Sequence, residues 1–287
     1  MKSSFNFEGD VITSRQNPLV LYVCKLADKK HRQKEKKFRL DGIKLFAEAV
    51  SSGVEIECAL IAEGTKEKIF SRLGDFLTDA TANGCEIKIA SDGVFEKISE
   101  EKSPEGIICI AKYIDKFHKI ATIDKEEKLF ERALAENSSF FALESVRDPG
   151  NLGTIIRSAV AFGVDYVLIS SDCADIYNPK TIRAAMGTLF KQKIIITDDM
   201  ERSINLLSIN GRKVYAAALS KDAKLLGKCE LSSLDCIVVG NEGHGLSEKT
   251  IAACDAKILI PMTAGAESLN AAIASSVCLW EQFGRNL

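Results

Sequence analysis

The stretch "FFALESVRDPGNLGTIIRSAVAFGVDYVLIS", residues 140–170, carries the reading of the fold. It opens on a short apolar run, FFALE, of strand length. Pro149-Gly150 then turns the chain, and a helix is expected near 151–163. A second apolar run, YVLIS, follows it. Apolar strands with helices between them belong to parallel sheets covered on both faces. The alternation continues through KIIIT, VYAAAL, CIVVG and AKILIP, with helices expected near 179–189, 200–209, 247–253 and 268–284. The fold class of this half is α/β, a mostly parallel sheet with flanking helices. Ligands of such sheets bind beyond the carboxyl ends of the strands.

Upstream, the chain reads as a smaller α/β domain over residues 1–112. "NPLVLYVCKLADKKHRQKEKKFRL" carries a helical apolar stripe at Leu19, Tyr22, Val23 and Leu26. "DGIKLFAEAVSSG" and "TKEKIFSRLGDFLTDATANG" read as helices, "SDGVFEKISE" as a short one, and IECALIA, EIKIA and GIICIAK as strands. Residues 113–137 turn charged and are expected to form a linker to a second domain over 138–287.

The 287 residues are 46% hydrophobic and 27% charged, an ordinary globular composition. No apolar run approaches the roughly 20 residues that span a bilayer. The N-terminus lacks the apolar segment of a secretory signal, so a cytoplasmic protein without membrane association is expected. Nine scattered Cys without a Cys-x-x-Cys pair suit buried free thiols. Three distant His (His31, His118, His244) argue against a metal site. The net charge of −2 excludes a globally basic nucleic-acid binder. Yet residues 1–45 hold eleven Lys and Arg against five Asp and Glu, a local net of +6. Residues 46–112 hold seven against thirteen, a net of −6. The basic stretch "KLADKKHRQKEKKFR" is a solvated helix face or a docking face for a polyanion such as nucleic acid; its candidates are Lys29, Lys30, Arg32, Lys34, Lys36, Lys37 and Arg39.

Three loops at strand ends carry the chemistry. In the first, Asn151 is placed to cap the following helix, with Arg157 a little under two turns on. The second is "VVGNEGHGLSE", residues 238–248. It is no phosphate loop, because Glu248 precedes Lys249-Thr250. It is no dinucleotide fingerprint, because Glu248 stands where the third Gly belongs. Glu242 between Gly240 and Gly243 would repel phosphates and suits a cationic ligand or a proton. The third is "IPMTAGAESLNAAIASSVCLWE", residues 260–281. There a strand meets a helix through small residues whose backbone can approach a ligand closely. Ser268 is placed to cap that helix. Leu269, Ala272, Ile273, Ser276 and Trp280 form its expected inward stripe.

Together, "NLGTIIRSA", "VVGNEGHGLSE" and "IPMTAGAESLNAAIA" resemble the knotted SPOUT methyltransferases, in particular the SpoU/TrmH family of RNA ribose 2′-O-methyltransferases. The N-terminal "ITSRQNPLVLYVCKLADKKHRQKEKKFRLDGIKLFAEAV" resembles that family's ribosomal-protein-like RNA-substrate-binding domain. One departure is Ala264, followed by Gly265, where many members have Gly two residues after the Pro-Met. The resemblance implies a C-terminal trefoil knot, a homodimer, S-adenosylmethionine as cofactor and a structured RNA as substrate, ribosomal in preference to transfer RNA. It also implies a cofactor pocket of Leu219, Gly240, Glu242, Gly243, Ile260, Met262, Ser268 and Leu269, and a catalytic set of Asn151, Arg157, Glu242, Ser268 and Asn270.

The family's proposed base is Arg157. A guanidinium with a pKa above about 12 is a poor proton acceptor at neutral pH. Arg157 is better suited to pin a phosphate and lower the hydroxyl's pKa. The proton then goes to phosphate, to Glu242 or to water. Methylation of a base nitrogen and a non-catalytic RNA-binding assembly factor are the alternatives. The Asn151/Arg157 and Ser268/Asn270 pairs argue against the first, and the intact set Asn151, Arg157, Glu242 and Asn270 against the second.

Overall fold

The computed structural model describes residues 5–101, 103–115, 120–122, 127–263 and 268–286. The chain divides into two units, residues 1–114 together with Tyr177–Phe190, and residues 115–176 together with Lys191–Leu287.

The first unit runs β1 (Val11–Ile12), α1 (Pro18–Lys25), α2 (Lys29–Glu35), β2 (Lys37–Asp41), α3 (Ile43–Ser51), β3 (Ile56–Ala62), α4 (Lys66–Ala82), β4 (Glu86–Ala90), α5 (Asp92–Ile98) and β5 (Ile107–Lys112). The sheet order is β1-β4-β3-β5-β2. β2 and β3 pair antiparallel with β5, and the β3–β4 and β1–β4 pairs are parallel. The stripe expected to be one long helix is broken. Asp28 caps a new helix by accepting the His31 N–H at 2.9 Å, Lys36 turns left-handed at φ 53°, and KFRLD becomes a strand. The downstream segment Tyr177–Phe190 completes this unit. Tyr177 stacks on Tyr113 with centroids 3.7 Å apart, and its hydroxyl accepts the Ile114 N–H at 2.9 Å. Arg183 faces Asp41, Glu100 and Glu101 at 3.8 to 3.9 Å. Gly187 lies at φ +90°, and a Cβ there would come within 2.7 Å of the Glu48 side chain.

The chain continues through β6 (Ile120–Thr122), α6 (Glu127–Ala135), β7 (Phe140–Leu143), α7 (Pro149–Ala161) and β8 (Tyr166–Ser170). After α8 (Pro179–Ala185), which belongs to the first unit, come β9 (Lys193–Thr197), α9 (Met200–Ile209), β10 (Val214–Ala217), β11 (Lys224–Leu225), β12 (Cys236–Val239), α10 (Glu248–Ala253), β13 (Ala256–Leu259) and α11 (Ala271–Gln282). The second unit's sheet has the order β11-β13-β10-β12-β7-β8-β9-β6, and every pairing is parallel. The six apolar runs read from the second half are β7, β8, β9, β10, β12 and β13. The stretch expected to be a linker supplies the edge strand β6 and α6, whose Phe130, Ala133 and Leu134 join the core. Because β7, β12, β10 and β13 are neighbours and parallel, the loops leaving their carboxyl ends stand side by side.

All nine thiols are free. Burial pushes Cys58, Cys85, Cys254 and Cys278 up to about 12, so they act as neutral packing groups.

Candidate functional site

A cavity of about 520 Å³ opens where the loops after β10, β12 and β13 meet. Leu219, leaving β10, forms one wall, and Gly240, Glu242 and Gly243 follow β12. Ile260 and Met262 follow β13, and Ser268 and Leu269 precede α11. Leu219 is 66% exposed, an apolar side chain without an apolar cover. Ala264, Gly265, Ala266 and Glu267, which include the expected departure from the family pattern, lie outside the described residues. Among the described residues, no group of three or more His, Cys, Asp or Glu is placed to hold a metal.

The loop after β12 closes on itself through an Asn241–Gly245 bridge. A Cβ on Gly240 would stand 2.5 Å from the Gly245 carbonyl oxygen and the Leu246 nitrogen, so only glycine fits without moving backbone. The Asn241 side chain fixes the turn. Its Oδ1 accepts the Gly243 and His244 N–H groups at 2.8 and 3.3 Å, and its Nδ2 donates to the Ser145 carbonyl at 2.9 Å. Across the loop, Glu144 accepts from the Ser247 N–H, the Ser247 hydroxyl and the Thr250 hydroxyl at 2.8, 2.9 and 2.6 Å. After β7, Ser145 is left-handed at φ 56°. Its hydroxyl donates to Asp172, which Ser170 and Arg147 also serve. Burial works against ionisation of Asp172, but these three partners outweigh it and hold its carboxyl below the usual range.

Asn151 does not cap α7. Asp148 does, accepting the Asn151 N–H at 2.8 Å, with Pro149 in the first turn. The Asn151 side chain is thereby free for the site. It donates to Glu242, and its Oδ1 accepts from Asn270 Nδ2 at 3.0 Å. Nor does Ser268 cap α11. Asn270 does, its Oδ1 accepting the Ala272 and Ile273 N–H groups at 2.9 and 3.3 Å. Asn270, Asn151 and Glu242 thus form one line of hydrogen bonds ending in the cavity wall. Arg157 stays outside it, exposed and without a hydrogen-bond or ion-pair partner among the described residues. Six residues along a helix turn the side chain by 1.7 turns rather than two. The expected inward stripe of α11 is only partly inward. Ile273 and Trp280 are 54% and 52% exposed, Leu269 and Ser276 are half-buried, and of the expected stripe Ala272 alone is buried, beside Ala271, Ser275, Cys278, Leu279 and Gln282.

Residues 138–280 match the model of the SpoU rRNA Methylase family, and residues 17–109 match the MRM3-like substrate binding domain. The 23S rRNA (guanosine-2′-O-)-methyltransferase RlmB of Coxiella burnetii is 30% identical over 73% of this chain and 81% of its own. The chain belongs to the SpoU rRNA methylase family. The 23S rRNA (guanosine(2553)-2′-O)-methyltransferase RlmP of Bacillus subtilis is 29% identical over 95% of this chain and 99% of its own. The crystal structure of an AdoMet-bound rRNA methyltransferase from Sinorhizobium meliloti superposes with a TM-score of 0.78 at 27% identity, covering 97% of this chain and 98% of that one.

In this SpoU-family chain the expected RNA-facing cations separate into two sets. Lys29, Lys30, Lys34 and Lys36 are exposed. Lys37 is half-buried and ion-paired with Glu57 at 2.7 Å, and that hydrogen bond raises its pKa. Arg32 and Arg39 are 1% and 2% exposed, so they are not part of a docking face. Arg32 closes the end of α1 by donating to the Leu26 and Ala27 carbonyls at 2.9 and 2.7 Å. Arg39 pairs with Asp41 at 2.6 Å and donates to the Ile98 carbonyl at 2.7 Å. Sequence reasoning missed Glu144 and Asn241. Both stand at carboxyl ends of strands inside quoted motifs, and that position was the available signal.

Proposed function

We propose that the protein transfers a methyl group from S-adenosylmethionine to a ribose 2′-hydroxyl of ribosomal RNA. The observation that carries this is the Asn270–Asn151–Glu242 line, which delivers an oriented carboxylate to a cavity of cofactor size. The lining suits the cofactor: Leu219, Ile260 and Leu269 offer apolar cover for an adenine, and the backbone around Gly240 and Gly243 is bare enough for hydrogen bonding. When bound, S-adenosylmethionine supplies an electrophilic methyl on a sulfonium that departs as a neutral thioether. The protein must align the reacting atoms and remove one proton. Glu242 takes the proton as the oxygen–methyl bond forms, and Asn151 keeps its carboxylate aimed. Ser268, on the cavity wall, orients the ribose.

Arg157 enters from a second copy of the chain. It lies one turn beyond Thr154, which lines a shallow groove with Ile273, Val277 and Trp280. A homodimer covering that apolar groove brings Arg157 to the partner's cavity, where its charge pins the phosphate beside the target ribose. Residues 1–112 form the RNA-substrate-binding domain, docking through Lys29, Lys30, Lys34 and Lys36. Four phosphate contacts on single-stranded RNA give a log–log salt slope of about −3. A trefoil knot in the C-terminal domain, as in this family, and action in the cytoplasm belong to the same reading.

The test is ribose-methylation mapping of cellular RNA with and without the protein, paired with S-adenosylmethionine titration of the purified chain. One ribosomal 2′-O-methyl mark disappearing with the gene supports the reading. A mark lost from transfer RNA, or purified protein that does not bind the cofactor, overturns it.

A further inference from the structure

The chain from the end of β7 into the first turn of α7 grips the loop after β12 and the start of α10 at three places. The Ser145 carbonyl takes the Asn241 amide, Asn151 donates to Glu242, and Glu144 holds Ser247 and Thr250. Unlike Glu242, Glu144 does not line the cavity. We infer that Glu144 is a positioning residue for the cofactor, acting through Ser247 and Thr250 to hold loop 240–247 in its binding shape. The inference rests on the cofactor reading of that cavity.

The loop needs such a hold because Gly240, Gly243 and Gly245 fall within six residues. Glycine loses more conformational freedom on ordering than any other residue. A loop left to order when the ligand arrives weakens binding by that cost, and one ordered beforehand does not. Asn241 secures the near end of the loop. Glu144 secures the far end, and its own N–H donates to the Val239 carbonyl at 2.9 Å, continuing the β7–β12 ladder. The carboxylate is thus carried on the sheet and not on another loop. Its Oε2 accepts the Ser247 N–H and its Oε1 both hydroxyls, while Ser247 Oγ in turn receives the Thr250 N–H at 3.2 Å. One side chain therefore sets where the loop ends and where α10 begins.

Glu144→Gln keeps the shape but places an NH₂ opposite either the Ser247 N–H or the two hydroxyls. Thr250→Val removes one donor and Thr250→Ser keeps it. Each full-length variant is titrated with S-adenosylmethionine by calorimetry, and its RNA affinity, melting temperature and steady-state kinetics are measured in parallel. Glu144→Gln and Thr250→Val are expected to weaken cofactor binding about ten-fold, the loss of one hydrogen bond to a charged group, with Thr250→Ser within about two-fold of the parent. The KM for the cofactor rises while kcat and RNA affinity stay. Parental cofactor affinity in Glu144→Gln overturns the inference, as does Thr250→Ser binding as weakly as Thr250→Val. An RNA affinity or melting temperature that falls in step with cofactor affinity also overturns it, by showing a general structural role. A parent protein that fails to bind the cofactor in the same titration defeats the cavity reading itself, and this inference with it.

Discussion

Arg39 shows how much a single charge depends on where it is placed. It is almost fully buried and bidentate to Asp41, so removing it leaves that carboxylate facing the more distant Arg183, at 3.9 Å. Arg39→Ala should destabilise that unit by about 3–5 kcal/mol in chemical denaturation, the cost of breaking a buried pair. Arg39 and the exposed Lys30 look alike in the string. Their difference lies in strand register, which turns Arg39 toward Ile98, and no count of basic residues contains it. The same holds for the caps. Asn151 and Asp148 are both good capping residues, and the choice between them is made by one residue's backbone angles. Asp222 offers a pH test at this scale. A hydrogen bond from Ser220 and, next, the Lys257 ammonium at 3.0 Å lower its carboxyl from 3.8 to about 2. Its folded value lies below its unfolded one. The stability this clasp gives the Leu219 loop is therefore complete above the unfolded pKa and disappears as pH falls through about 2. A carbon-detected NMR titration should place the Asp222 midpoint near 2, and a midpoint at the ordinary value of 3.8 would dismiss the clasp.

α11 has two duties at its first turn. Asn270 both caps the helix and donates to Asn151, and two substitutions separate these roles. Asn270→Ala removes both and should cost about 1 kcal/mol in unfolding free energy. Asn270→Asp keeps the cap but turns an acceptor toward Asn151 Oδ1. Flipping the Asn151 amide gives no relief, because its oxygen would then meet Glu242. Asn270→Asp should keep stability within about 0.5 kcal/mol while methyl transfer falls about ten-fold or more. Equal loss of activity and stability in this variant would reduce Asn270 to a cap. Elements of this size were unevenly legible. The second unit's inner strands are continuous apolar runs and read cleanly. β11 has two residues and gives no periodic signal. α2 and β2 were merged with α1, because a Lys-rich helix and the strand after it show no change of composition at their boundary. Ile273 and Trp280 of α11 were read as inward, since apolar spacing shows that a face will be covered but not by which molecule.

For the whole molecule, the exposed Ile273 and Trp280 make oligomeric state the measurement to take. Ile273→Glu places a charge in the groove between α7 and α11. It should shift sedimentation from dimer to monomer at micromolar concentration and abolish methyl transfer, with cofactor affinity retained. A fully active monomer would remove the second copy from the site. The broad two-part α/β plan was legible from strand–helix alternation and the basic N-terminal stretch. That Tyr177–Phe190 belongs with residues 1–114 was not, because it depends on which aromatic surfaces meet after folding. This membership also fixes an order of events during synthesis. Phe38 and Tyr113 leave the ribosome well before Tyr177 and Phe190, the rings that cover them. Until about residue 190 has emerged, the first unit waits with an open aromatic flank while β7 and β8 are already made. The second unit is thus translated partly inside the interval in which the first is still unfinished.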